Sequence, residues 1–287
     1  MTDRTTLEAD AVKSCCANVY ASDWAKLLLG DSFHPGGLAL TTRLGQLLGL
    51  DAPSTVLDVA TGRGASAIHL AQTLGCRVIG VDYSAENVEM AREAARAGGV
   101  EHLVSFRQGD AEHLPIRDAE VDAALCECAF CTFPDKPTAA RELARVIRPG
   151  GRLGLSDLTR RGELPPELSG LLAWVACLGD ARPVEEYAGL LEAAGFEPPI
   201  VERHDDALLD MARLVRRRLM AAELLAKLGQ VALPVGNLTD AQRMARAAEA
   251  AVESGTLGYA LLVASRLPVA NSPPVESTAQ AEKEGVI

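Results

Sequence analysis

No apolar run among these 287 residues reaches the roughly 18 residues that a membrane span needs. The N-terminal segment also lacks the charged start and apolar stretch of a secretory signal, so the cytoplasm is the expected location. Basic residues are in short supply: 28 Lys and Arg stand against 39 Asp and Glu, for a net charge of -11. That balance argues against a nucleic-acid partner, which needs clustered positive charge to neutralise phosphates. The one basic run, Arg213 to Arg218, is interrupted by apolar residues and reads as the wet face of a helix. A disulfide framework is missing too. The seven cysteines are an odd number with adjacent or near-adjacent pairs, so reduced thiols are expected. What remains is a small-molecule substrate as partner, with no nucleic acid and no membrane, and with a homodimer left open.

What is present is a chain with 48% hydrophobic and 23% charged residues, enough for one sizeable core with additions. The apolar run Val56 to Val59 leads through Ala60-Thr61-Gly62-Arg63-Gly64 into a helical pattern from Ala65 to Leu74. A second apolar run, Val78 to Val81, then ends in Asp82. This is a βαβ unit whose glycines let backbone approach a ligand, with a carboxylate at the second strand end able to accept ribose hydroxyls. The same pattern of runs and breaks continues with a helix over Ala85–Ala97, a strand near Leu103–Arg107, a buried strand over Val121–Cys126, a helix over Pro137–Ile147 and a strand ending at Asp157. Helices are expected over Leu168–Leu178 and Val184–Ala194, and strands over Ile200–His204 and Tyr259–Ser265. The domain reading is a helical N-terminal cap over 1–50, a core over 51–204, a helical insertion over 205–254, a last core strand over 255–267 and a disordered tail over 268–287.

The turn Asp58-x-Ala60-x-Gly62-x-Gly64 departs from the Gly-x-Gly-x-x-Gly of dinucleotide-binding dehydrogenases. It resembles the first motif of class I S-adenosylmethionine (SAM) methyltransferases, and Asp58-Val59-Ala60-Thr61-Gly62 is similar to the form found in quinone C-methyltransferases. Ala60 replaces a glycine there, in what reads as a tolerant position. Gly109-Asp110-Ala111 resembles the family's adenine-contacting segment, and Arg148-Pro149-Gly150-Gly151 its turn into the fifth strand. The resemblance implies an α/β fold with a Rossmann-like seven-stranded sheet, N-terminal helices and an inserted helical subdomain. It also implies SAM as cofactor, bound by Asp58, Ala60, Thr61, Gly62, Gly64, Asp82, Tyr83, Asp110, Ala111 and Glu127.

The segment Cys126-Glu127-Cys128-Ala129-Phe130-Cys131-Thr132-Phe133-Pro134-Asp135-Lys136 leaves the C-terminal end of the fourth strand, the edge where such sheets bind ligands. It resembles an arsenite methyltransferase pattern with Cys128 on the motif cysteine, and Trp174-Val175-Ala176-Cys177 resembles that family's second cysteine segment. The resemblance implies Cys128 and Cys177 as catalytic thiolates and as ligands of trivalent arsenic, the leading substrate. Soft thiolates can hold this centre with its lone pair directed at a sulfonium methyl. The chain lacks the family's longer cysteine-bearing N-terminal region and any cysteine after Cys177, and Cys15-Cys16 is the only pair that offers a further thiol.

Other readings stand beside this one. A quinone-like or natural-product acceptor would need a base, for which His34, His113 and Glu127 are candidates without an evident dyad. A SAM-binding or metalloid-binding protein without turnover is a third reading. Cys76 and Cys126 read as core residues, and Cys126-x-Cys128-x-x-Cys131 is too tight, and lacks a fourth ligand, for zinc. His69 and His102 read as surface or core positions, and Trp24 and Trp174 as packing anchors.

Overall fold

The computed structural model describes residues 9–30, 32–169, 173, 176–227 and 238–268. Its strands are β1 (Thr55–Val59), β2 (Arg77–Asp82), β3 (Val104–Gln108), β4 (Val121–Glu127), β5 (Ile147–Arg160), β6 (Ile200–Arg203) and β7 (Leu257–Ser265). They form one seven-stranded sheet in the order β3-β2-β1-β4-β5-β7-β6. The first five are parallel, and β7 runs antiparallel between β5 and β6. This is an α/β, Rossmann-like sheet.

The helices are α1 (Ala9–Ala21), α2 (Asp23–Leu29), α3 (Gly37–Leu48), α4 (Ala65–Leu74), α5 (Ala85–Ala97), α6 (Lys136–Val146), α7 (Val184–Ala193), α8 (Asp205–Lys227) and α9 (Leu238–Glu253). The strands read as apolar runs because both faces of the sheet are covered. Leu57, Val59, Ile79, Val81 and Cys126 face one core with α6 and α7, whereas Val56, Val78 and Leu125 face the other with α3, α4 and α5. Cys76 and Cys126 are fully buried, as expected of small apolar side chains. Local signals set the helix starts. Ser84 accepts the Asn87 N–H at the head of α5, and Asp135 accepts the Thr138 N–H at the head of α6.

Several expectations need correction. The fifth strand begins at Ile147, before the Arg148–Gly151 turn, because Ile147 already pairs with Val121 and the register then slips so that Arg152 meets Ala123. A Cβ on Gly151 would strike the Asp122 carbonyl, which is why that bulge takes glycine. The helix expected over Leu168–Leu178 does not run unbroken to either end, although Ala173 within it is helical. Pro166–Leu168 is a single 3-10 turn, and Cys177 has φ +62°, which no α-helix accommodates. Trp174 and the residues beyond 268 lie outside the described residues.

The run Arg213–Arg218 is not simply a wet face. Arg213 pairs with Glu249 and Glu253, Arg216 pairs with Glu249, and Arg218 donates to the Leu28 carbonyl at 2.9 Å, so the run ties α8 to α9 and α2. All seven cysteines are free thiols. Among the described residues no helix is long and apolar enough to cross a membrane.

Candidate active site

At the C-terminal ends of β1, β2 and β4 lies a cavity of about 150 Å³. The turn after β1 shapes it. Thr61 Oγ1 donates to Asp58 at 2.6 Å, the Thr61 N–H bonds the Val81 carbonyl at 3.1 Å, and the Gly62 N–H bonds Asp82 Oδ2 at 2.8 Å. A Cβ on Gly62, at φ +55°, would meet nothing within 4 Å, so its open side is part of the cradle. Gly64 does not line the cavity. Its φ is +80° and a Cβ there would crowd Phe106 and Ala91, so this glycine serves helix packing. Ala60 also sits at φ +58°, which corrects the reading of its position as tolerant. A left-handed alanine costs roughly 1 kcal/mol that the motif's glycine would not.

Of the ten residues assigned to the cofactor, nine line this cavity: Asp58, Ala60, Thr61, Gly62, Asp82, Tyr83, Asp110, Ala111 and Glu127. Four of them are carboxylates. Asp58 is buried, and desolvation with the nearby charges of Glu127 and Asp82 pushes it up to about 8 despite the Thr61 hydrogen bond. Burial also raises Asp82, opposed by bonds from the Ser84 N–H, Asn87 and the Gly62 N–H. Glu127, at the end of β4, accepts from Ser66 Oγ at 2.5 Å and Thr41 Oγ1 at 3.0 Å.

His34 sits 3.6 Å from Glu127 and 2.9 Å from Ser32 Oγ through the same Nε2. Two of the three candidate bases therefore form a pair that the sequence did not reveal, because 93 residues separate them. His113 is exposed and lines neither cavity.

One face of α1 closes the cavity with Lys13, Cys16, Ala17 and Tyr20, at the i, i+3, i+4, i+7 spacing of a single helix face. That spacing was the available signal for these residues. Lys13 bridges Asp110 at 2.7 Å and Glu112 at 2.5 Å. Burial opposes its charge, but hydrogen bonds to the two carboxylates outweigh this and hold the ammonium above its usual range.

A second cavity of about 270 Å³ lies between α1, α2, α8 and α9. It shares Tyr20, Phe33 and Cys128 with the first, and the Tyr20 and Phe33 rings meet there at 5.8 Å. The two assigned thiols do come together beside this junction. Cys177 Sγ lies 3.1 Å from the Cys128 carbonyl oxygen and 3.6 Å from Tyr20 Oη, and both cysteines have left-handed backbones.

Of the two, only Cys128 faces a cavity; Cys177 and Cys131 are 1% exposed and line neither. The hydrogen bond to Cys177 and burial push the Cys128 thiol up, and burial foremost pushes up Cys131. The same bonds draw Cys177 down, while its contact with the Cys128 carbonyl works to keep a proton on that sulfur. Among the described residues no group of three or more His, Cys, Asp or Glu side chains is arranged to hold a metal ion. The thiols are thus juxtaposed without forming an open ligand set.

A family model described as a methyltransferase domain matches residues 57–155. The O-methyltransferase cnsE of Penicillium expansum is 30% identical over 233 residues, covering 80% of this chain and 79% of that protein. The chain belongs to the class I SAM-dependent methyltransferases. Methyltransferase GfsG of Streptomyces halstedii is 35% identical over 183 residues, 63% of this chain and 66% of the relative. An arsenite methyltransferase of Halobacterium salinarum is 32% identical over 156 residues, 53% of this chain and 40% of the relative. The chain thus spans two thirds or less of the length of these last two proteins.

Among solved structures, a geranyl diphosphate methyltransferase in complex with SAM gives a TM-score of 0.65 at 22% identity, over 80% of this chain and 86% of that one. A geranyl diphosphate C-methyltransferase from Streptomyces coelicolor A3(2) gives 0.69 at 17% identity, over 92% and 100%. The methyltransferase fold is common to all of these. SAM is the cofactor. The acid-rich first cavity suits a cofactor that carries a sulfonium and an ammonium group, and the open side of Gly62 leaves room for it.

Proposed function

We propose that this methyltransferase acts on an uncharged, lipophilic organic acceptor, at oxygen or carbon, rather than on trivalent arsenic. The observation that carries the reading is the apolar cavity that shares Tyr20, Phe33 and Cys128 with the cofactor cavity. Arsenite would fill a small part of such a space. It would also require the thiols of Cys128 and Cys177 to face one opening, and Cys177 faces none.

SAM supplies a methyl group already activated by its positive sulfonium. In this proposal Asp82 accepts the ribose hydroxyls, Asp110 and Ala111 meet the adenine, and Asp58 and Glu127 face the α-ammonium. An acceptor hydroxyl hands its proton to the Ser32 hydroxyl, which passes its own to His34 Nε2, and Glu127 stabilises the resulting imidazolium. Water is kept from the junction by the Tyr20 and Phe33 rings.

The test is S-adenosylhomocysteine release from SAM in three mixtures: arsenite with glutathione, a panel of lipophilic phenols and quinols, and no acceptor. Release that depends on phenols or quinols, and is unaffected by Cys177→Ser, is the expected result. Arsenite-dependent release that is lost in Cys128→Ser and Cys177→Ser would overturn the proposal and return the metalloid reading.

A further inference from the structure

We infer that the helix pair α8 and α9 gauges the apolar end of the acceptor, so that small and flexible residues on these helices set which substrates fit. The inference rests on the reading that the second cavity takes the acceptor. It goes further in assigning the orientation of that molecule and the residues that select it.

The lining of the cavity has a direction. Tyr20, Phe33 and Cys128, shared with the first cavity, mark its cofactor end, while Met211, Ala212 and Val215 of α8 with Met244, Ala245 and Ala248 of α9 line it from the helix pair. Among the described residues no charged side chain lines it. A carboxylate or phosphate placed there would lose its hydration without gaining a partner, which costs several kcal/mol, whereas an alkyl or aromatic group gains from leaving water. The polar atom that receives the methyl group is therefore at the Cys128 end, and the apolar body points toward α8 and α9. Ser22, the remaining polar residue in the lining, already spends its hydroxyl proton on the Val19 carbonyl at 2.6 Å.

Size follows from volume. An apolar protein cavity of about 150 Å³ holds one benzene molecule, and this one measures about 270 Å³. The space thus admits at least a single ring, with room for a fused bicycle or a medium alkyl chain. Alanine at positions 212, 245 and 248 leaves this space open, and the unbranched Met211 and Met244 can adapt to its contents. Arg213 and Arg216 of α8 both pair with Glu249 of α9, which joins the two helices through residues outside the cavity lining.

The experiment uses the full chain with S-adenosylhomocysteine bound and a series of 4-alkylphenols from ethyl to dodecyl, with affinities from calorimetry and methylation of each followed with SAM. Affinity is expected to rise about fourfold per added methylene and to stop rising once the chain reaches α8 and α9. Ala245→Phe moves that limit to shorter chains, and Met244→Ala moves it to longer ones, with S-adenosylhomocysteine affinity unchanged in both. The opposite directions separate gauging from damage to the fold. An unchanged limit in both variants, or affinity independent of chain length, overturns the inference. Methylated phenols with no length limit would leave the proposed function standing and this inference rejected. A length limit on binding with no methylation of any member would do the reverse.

Discussion

Asp58 and Asp82 close two adjacent parallel strands that belong to one βαβ unit, while Tyr20, Cys128, Leu208 and Met244 meet around a single cavity from four separated stretches of chain. The first group is polar, held by backbone N–H groups and hydroxyls, and surrounded by further carboxylates. The second group is apolar and held by packing between helices. The cofactor half thus demands particular atoms at particular places, because hydrogen bonds are directional. The apolar cavity, which the proposal gives to the acceptor, demands only volume and an absence of charge, which many residue combinations supply.

The largest effect is expected from His34→Gln, which should lower kcat by roughly 10²- to 10⁴-fold while SAM affinity stays within about twofold. If SAM affinity collapses instead, His34 belongs to the cofactor half and the proton path is wrong.

Next comes Asp82→Ala, expected to weaken SAM binding by about 1.5–3 kcal/mol, roughly 10- to 150-fold, by equilibrium titration. It also frees the Gly62 and Ser84 N–H groups that the carboxylate now holds. An unchanged affinity would remove Asp82 from the cofactor half.

A pH series sharpens the contrast without mutation. Asp58 in the folded chain is raised from 3.8 to about 8, and Asp157, buried beneath the thiols, is raised to about 7. A carboxyl whose pKa rises on folding stabilises the fold while protonated, and that contribution falls as pH climbs from about 4 toward the folded value. The SAM-free protein should therefore lose melting temperature between pH 5 and 7, and the increase on adding SAM should grow over the same interval as the ammonium meets an ionised Asp58. A SAM-induced shift that is flat across those values would separate Asp58 from the ammonium.

The smallest effect is expected from Cys177→Ser, whose hydroxyl can keep a hydrogen bond to the Cys128 carbonyl. Turnover on the best phenol should change by less than about threefold, and a loss of a hundredfold or more would restore the thiols to the chemistry.

Much of the cofactor half was legible because its residues are close in sequence. Asp58, Gly62 and Asp82 are separated by one strand–turn–helix–strand passage, and the spacing carries the geometry. Gly64 shows the limit of such spacing: the motif marks a glycine but does not say whether a ligand or the Phe106 ring needs the space. The His34–Glu127 pair, the closure of the cavity by Lys13 and Tyr20, and the sealing of Cys177 were not legible. Each depends on how α1, the loop before α3 and the segment after β5 fold back over the sheet edge. The sequence marked Cys128 and Cys177 correctly as neighbours but could not show that only one of them faces a cavity.

The sheet and the glycine turn after β1 follow from local pattern, since apolar runs, glycine positions and strand-end acids act within a few residues of one another. The apolar character of the second cavity came from tertiary packing alone. That cavity is the space left between helices that pack for their own burial, and that volume exists in no local stretch of chain.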